Sequence, residues 1–218
     1  MIDKVRTIRV LLADDHMLVR EGLRQLLGAT TDIRVEGEAA NGDEALALAK
    51  ANEYDLAVLD MSMPGLSGIA LIKRLRLEKP QLRLLVLSMH AEQQYAVRAL
   101  KAGASGYLTK DSASAQLVIA IRKVAAGGVH ISEAAAVELL GAAVGTPAGG
   151  EALPHTRLSD REFEVFRLLV TGEGPTGIAE RLHLSVKTIS THKTRILEKM
   201  GMESTAELVR YAVEKGLS

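Results

Sequence analysis

The chain has no cysteine, few aromatic residues, no net charge and no long apolar run, and each shortage closes off a class of function. Without cysteine, disulfides and thiolate metal sites are excluded. Aromatics at 3% leave few rings on which unpaired bases could stack, which argues against single-stranded nucleic acid as a ligand. Basic and acidic residues balance at 27 each, so contact with DNA must come from a local patch and not from a global field. No stretch approaches the roughly 18 apolar residues of a membrane span, and "IRVLLADD" turns acidic too early for a secretion signal. The expected location is the cytoplasm, with no membrane partner.

What is present falls into two halves. Apolar runs near 8–13, 33–38, 55–60, 83–88 and 105–109 alternate with helical patterns near 17–28, 43–51, 67–78, 92–102 and 112–126. Such alternation, with wholly apolar central runs, predicts a doubly wound parallel sheet of five strands with helices on both faces. Gly127-Gly128 ends the last helix, "SEAAAVELL" starts a short one at Ser132, and "GAAVGTPAGGEALPHT" from Gly141 to Thr156 reads as a flexible linker. The predicted domains are 1–127, an extension and linker over 128–156, and 157–218.

Polar residues stand where the apolar runs stop: Asp14 and Asp15 after "IRVLLA", Asp60 closing "YDLAVLD", Ser88 after "LRLLVL", and Lys110 after "SGYLT". In an open parallel sheet the C-terminal ends of strands converge on one crevice, so these residues are expected to meet there. Three carboxylates together repel unless a hard cation sits among them, and an all-oxygen cluster suits Mg²⁺. The expected chemistry is phosphoryl transfer onto Asp60, with Mg²⁺ and Lys110 gathering positive charge around the phosphoryl oxygens. Ser88 offers a hydroxyl to that group, and the Ser62 backbone carbonyl completes the metal shell. Each residue alone has a plainer use: Asp14 or Asp15 as a helix cap, Asp60 as a turn former.

Residues 157–218 carry only helical patterns. Ser159 and Glu162 have capping-box spacing, and Phe163, Phe166, Leu169 and Val170 have core spacing. In "GIAERLHLSVKTISTHKTRILEKMG" a short helix, a turn at Leu184 and a Ser185-capped second helix give helix-turn-helix spacing. That second helix puts Ile189, Ile196 and Met200 on one side and Lys187, Thr191, Thr194 and Glu198 on the other, flanked by Ser190 and Arg195. An apolar back and a hydrogen-bonding front are what a major-groove helix needs. Lys187, Lys193, Arg195 and Lys199 are expected to supply the attraction to DNA, offset by Glu198.

"ADDHMLVREGL", "LDMSMPGLSG", "LSMH" and "GYLTKD" resemble the receiver domain of bacterial two-component response regulators over roughly residues 6–127, and "LSDRE…IAERLHLSVKTISTHKTRILEKM" resembles the DNA-binding domain of LuxR/NarL-type regulators. The resemblance implies Asp60 as phosphoacceptor for a sensor histidine kinase, Asp14 and Asp15 in a Mg²⁺ pocket, and Ser88 and Lys110 as phosphate contacts. It also implies Tyr107 as a switch residue, against a plainer use as a half-buried strand tyrosine, and Ser62 and His90 as residues that tune hydrolysis. In the second half it brings Lys187, Thr188, Ser190, Thr191, His192 and Thr194 nearest to double-stranded DNA, and the last helix, "TAELVRYAVEKG", into a homodimer; RNA polymerase is a further contact of such regulators. Ser190 replaces the lysine common in the family, and "GEGPTGIA" departs from its usual "SNKEIA". Two other readings stay open. A phosphatase of the haloacid-dehalogenase type would need an acid two residues after the nucleophile, where Ser62 stands; a constitutive DNA-binding or protein-interaction module, whose receiver no longer signals, would not need the pocket intact.

Overall fold

A computed structural model of the chain describes residues 7–66, 68–89, 93–144, 153–182 and 184–217. The chain divides into two compact units, residues 1–139 and 140–218.

In the first unit, β1 (Ile8–Ala13), β2 (Ile33–Ala39), β3 (Leu56–Asp60), β4 (Arg83–Ser88) and β5 (Gly106–Thr109) pair in parallel in the order β2-β1-β3-β4-β5. β3 is buried along its whole length because both its faces are covered, whereas edge strand β2 alternates buried and exposed residues. One face holds α1 (Met17–Gly28) and α5 (Lys110–Ala125), where Leu23, Leu27, Leu117, Ile121 and Val124 pack on Val10, Leu12, Val58 and Leu85. The other holds α2 (Gly42–Ala51), α3 (Gly68–Glu78) and α4 (Gln93–Lys101), where Ala45, Ala49, Ile72 and Ala99 pack on Leu11, Ala57, Leu84 and Val86. The predicted doubly wound sheet is therefore present, and the chain reverses direction across it between β1 and β3.

The structure shifts some boundaries. α5 begins at Lys110, two residues before the expected start, because Thr109 is its N-cap and accepts from the Ser112 amide at 3.3 Å. α6 (Glu133–Val144) continues past Gly141, where a linker was expected; the alanines around that glycine favour helix. Its beginning is fixed to the sheet unit. His130 bridges Gly106 in parallel register, the Tyr107 amide donates to the His130 carbonyl at 2.8 Å, and the His130 amide donates to the Ser105 carbonyl at 3.1 Å. Ala135 is wholly buried in the same cluster as Tyr107, Ala96 and Ala99. The middle of the expected linker, 145–152, lies outside the described residues, as does His90.

In the second unit a 3₁₀ turn (Pro154–Arg157) precedes α7 (Asp160–Val170), α8 (Pro175–Arg181), α9 (Val186–Met200) and α10 (Thr205–Glu214). The turn occupies the end of the expected linker because His155 is buried there, its Nδ1 at 2.5 Å from the Tyr211 hydroxyl. The Ser159–Glu162 capping box forms as the sequence predicts, and Pro175 stands at the start of α8. Phe163, Phe166, Ile178, Ile189, Ile196 and Leu208 make the core. Gly201 ends α9 with φ of 66°, a left-handed geometry that glycine adopts without a Cβ clash.

Candidate functional site

The reversal between β1 and β3 builds the first site. Ala13 pairs with Leu59, so Asp14 and Asp60 leave neighbouring strands at the same end of the sheet, and both are buried. β4 pairs next to β3 and delivers Ser88, also buried; Thr109, beside Ser88 in register, leads into Lys110. Lys110 Nζ lies 2.9 Å from Asp60 Oδ2, to which it donates, and 2.7 Å from Asp14 Oδ2 in an ion pair off hydrogen-bond alignment. The Ser62 amide donates to Asp60 Oδ1 at 3.3 Å. Asp14, Asp15, Asp60 and His16 each bring one ligand atom within 4.8 Å of the others.

The charges respond to that crowding. Burial raises the pKa of Asp60, opposed by the hydrogen bond and charge of Lys110, while the Asp14 carboxylate beside it raises it further. Burial works against the Lys110 ammonium, yet the close carboxylates of Asp14 and Asp60 outweigh that and raise its pKa. Lys110 thus stays charged as the counterion of two carboxylates.

Asp14 and Asp15 do not cap α1, since the N-cap is His16; its amide donates to Asp14 Oδ1 at 2.8 Å. The plainer use considered for the acidic pair is thereby removed. Tyr107 is buried, not half-buried. Two neighbours escape sequence reading. His16 Nδ1 lies 2.9 Å from Asp15 Oδ1, and Arg20 Nη1 donates to the Asp14 carbonyl at 2.6 Å with its Nε 3.5 Å from Glu38 Oε2. The only textual sign of either is its position, His16 directly after the acidic pair and Arg20 five residues beyond Asp15.

A second site lies on α9. Lys187, Ser190, Thr191, Thr194, Arg195 and Glu198 are exposed, while Ile189, Ile196 and Met200 are buried against α7 and α8. Thr188 turns toward the N-cap, its hydroxyl 2.8 Å from Ser185 Oγ. His192 and Lys193 are half-buried at the flank of the exposed stripe. Burial, followed by the charge of Arg161, lowers the pKa of His192, which keeps its imidazole neutral at physiological pH. Lys199 is not a free cation for DNA: its Nζ donates to buried Glu162 Oε2 at 2.6 Å.

Comparison with known proteins agrees with this division. Residues 10–122 match the response regulator receiver domain, and residues 156–212 match the luxR family of bacterial regulatory proteins. The response regulator UvrY of Escherichia coli is 34% identical over 96% of this chain and 95% of its own length. The oxygen regulatory protein NreC of Staphylococcus epidermidis is 35% identical over 96% of this chain and 99% of its own. Among solved structures, the Salmonella typhimurium response regulator RcsB, studied for conformational dynamism in DNA interaction, superposes with TM-score 0.75 at 28% identity, covering 98% of this chain and 99% of its own. RcsB bound to promoter rprA in the presence of phosphomimetic BeF₃⁻ superposes with TM-score 0.68 at 28% identity, over 94% and 98%. Among the described residues no helix is long and apolar enough to cross a membrane. The chain belongs to the NarL/FixJ family of response regulators, DNA-binding two-component proteins that join a receiver domain to a LuxR-type helix-turn-helix domain.

Proposed function

We propose that this protein is a cytoplasmic transcription factor switched by Mg²⁺-dependent phosphorylation of Asp60, with a sensor histidine kinase as donor. The observation that carries the reading is the seat of Lys110 between the Asp60 and Asp14 carboxylates, with Asp15 beside them. Asp15 Oδ1 and Asp14 Oδ2 are enclosed without an aligned hydrogen-bond partner, and such all-oxygen donors fit a hard divalent cation. Asp14, Asp15, Asp60 and the Ser62 carbonyl would hold it, and when bound it supplies positive charge to the transferred phosphoryl group.

The chain's own residues do the rest. An Asp60 carboxylate oxygen attacks phosphorus in line as the bond to the donor imidazole breaks, and that nitrogen leaves with the bonding pair. Lys110 exchanges its carboxylate contact for a phosphoryl oxygen, and the Ser88 hydroxyl donates to another. The acyl phosphate carries a charge of about −1.5 to −2 where the Asp60 carboxylate carried a single one, beside the buried carboxylate of Asp14. Movement of Ser88 toward it vacates space for Tyr107, whose strand carries the tether to His130. The output is a homodimer on double-stranded DNA, with α9 in the major groove, α10 pairing two copies, and RNA polymerase as a further contact. Functionally the chain divides into a receiver (1–127), a connecting segment (128–156) and a DNA-reading domain (157–218). Incubation with a small acyl phosphate and Mg²⁺ should add one phosphoryl group by intact mass to wild type and none to Asp60→Asn; an equal gain in both would remove Asp60 as acceptor.

A further inference from the structure

The exposed stripe of α9 has a chemical bias that its residue types alone do not reveal. Ser and Thr hydroxyls both donate and accept, so they can in principle serve any base. Here the donor half is already engaged. Ser190 Oγ donates to the Val186 carbonyl at 3.0 Å, Thr191 Oγ1 to the Lys187 carbonyl at 3.0 Å, and Thr194 Oγ1 to the Ser190 carbonyl at 3.1 Å. Each bond closes one turn back along the helix, an arrangement that short hydroxyl side chains adopt readily. At the head of the helix the hydroxyls of Ser185 and Thr188 pair with each other. What the stripe offers outward is therefore lone pairs, together with the methyl groups of Thr191 and Thr194.

In the major groove, adenine N6 and cytosine N4 are the donors that lone pairs can accept from, and thymine adds a C5-methyl group that a threonine methyl can pack against. Guanine presents only the N7 and O6 acceptors there. To contact guanine a hydroxyl must first release its own carbonyl, which biases each contact by roughly threefold to tenfold. Among the described residues of α9, the exposed permanent donors not engaged elsewhere are Lys187 and Arg195, since Lys193 is half-buried and Lys199 bonds Glu162. Glu198, also exposed, is acceptor-only and strengthens the same preference.

We propose that Ser190, Thr191 and Thr194 determine specificity as acceptors and apolar contacts, selecting adenine N6, cytosine N4 and thymine methyl edges, while guanine is read only through Lys187 or Arg195. This rests on the reading of α9 as the major-groove helix. It assigns base preferences where a stripe of hydroxyls would otherwise discriminate weakly.

The test uses the full-length chain, with and without a small acyl phosphate, to select sites from a random duplex pool, and then the selected duplex carrying single base analogues. Thymine→uracil and adenine→purine at positions facing the stripe should each weaken wild-type binding about fivefold. Thr191→Val should abolish the adenine→purine loss at its position and keep the uracil loss, and Thr191→Ser should do the reverse. Losses from 7-deazaguanine should disappear in Lys187→Ala or Arg195→Ala and persist in Thr191→Val. A 7-deazaguanine loss that Thr191→Val abolishes would show the hydroxyl donating and overturn the inference, as would a selected site indifferent to uracil and purine. A pool that returns no motif in either arm would instead overturn the major-groove reading beneath it.

Discussion

Lys110 Nζ stands 2.9 Å from Asp60 Oδ2 while also closing to 2.7 Å on Asp14 Oδ2, so one ammonium is the shared counterion of two buried carboxylates and leaves the group with a net negative charge. Removing it leaves like charges facing each other away from water, and the loss of one partner from a buried pair costs about 3 kcal/mol or more. Lys110→Ala should therefore be destabilised by about that amount in chelator, and Mg²⁺ should restore more stability to the variant than it adds to wild type, because the cation takes over the neutralising role. Urea unfolding with and without Mg²⁺ reads both quantities. Equal responses of the two proteins to Mg²⁺ would remove the cation from this cluster.

Arg20 holds the backbone that carries the acidic pair. Its guanidinium donates to the Asp14 carbonyl at 2.6 Å and is oriented by Glu38 across the gap to β2. Groups that support metal ligands typically contribute 10–100-fold to metal affinity. Arg20→Ala should weaken Mg²⁺ binding by about tenfold, measured by calorimetric titration, with partial rescue in Arg20→Lys, which keeps a donor but loses the planar fork. Unchanged Mg²⁺ affinity in Arg20→Ala would reduce Arg20 to a helix-surface residue.

These two residues mark the limit of what the text of the chain reveals. Asp14, Asp15, Asp60, Ser88 and Lys110 are legible because each follows an apolar run, and parallel strands bring their ends together. The apolar back of α9 is legible because its period is that of a helix. Arg20 is not, since nothing in a sequence says that a side chain returns six residues to a carbonyl. The His130–Gly106 bridge is invisible for a similar reason: it joins main-chain atoms that every residue has. The bond from Lys199 to Glu162 is not legible because its partners lie on different helices, and neither is the half-burial of His192 beside Arg161 and Glu162 of α7.

The bridge at Gly106 is itself open to test. A Cβ at this position would come within 2.7 Å of Leu85 Cδ1 and 3.0 Å of the His130 carbonyl oxygen. The end of the Leu85 side chain must turn aside within the core, and the contact with the His130 carbonyl also presses the segment after α5 outward. Gly106→Ala should cost the first unit about 1–3 kcal/mol and speed proteolytic cleavage between α5 and α6. Mass mapping of early fragments decides the matter; cleavage confined to 145–152 in wild type and variant alike would mean that the bridge does not hold the segment.

The acid response of the second unit rests on Glu162. Burial disfavours its charge, but the hydrogen bond from Lys199, together with those from the Ser159 amide and the capping arrangement, brings its pKa from 4.5 to about 2. A carboxylate with a folded pKa below its unfolded value contributes stability that is fully present above the unfolded value. That contribution is lost as pH falls toward the folded value, since the unfolded chain takes up the proton first. The window is therefore pH 4.5 down to about 2. Because Lys199 is 41% exposed, the contribution is set at on the order of 2 kcal/mol, below what the whole shift would give. Glu162→Gln keeps the shape and one acceptor but loses the charge, so it should unfold more easily at pH 7 and approach wild type near pH 2. Lys199→Met should reproduce the neutral-pH loss without affecting the cap. Parallel stability curves for wild type and Glu162→Gln across the window would show that the charge of Glu162 contributes nothing beyond its hydrogen bonds.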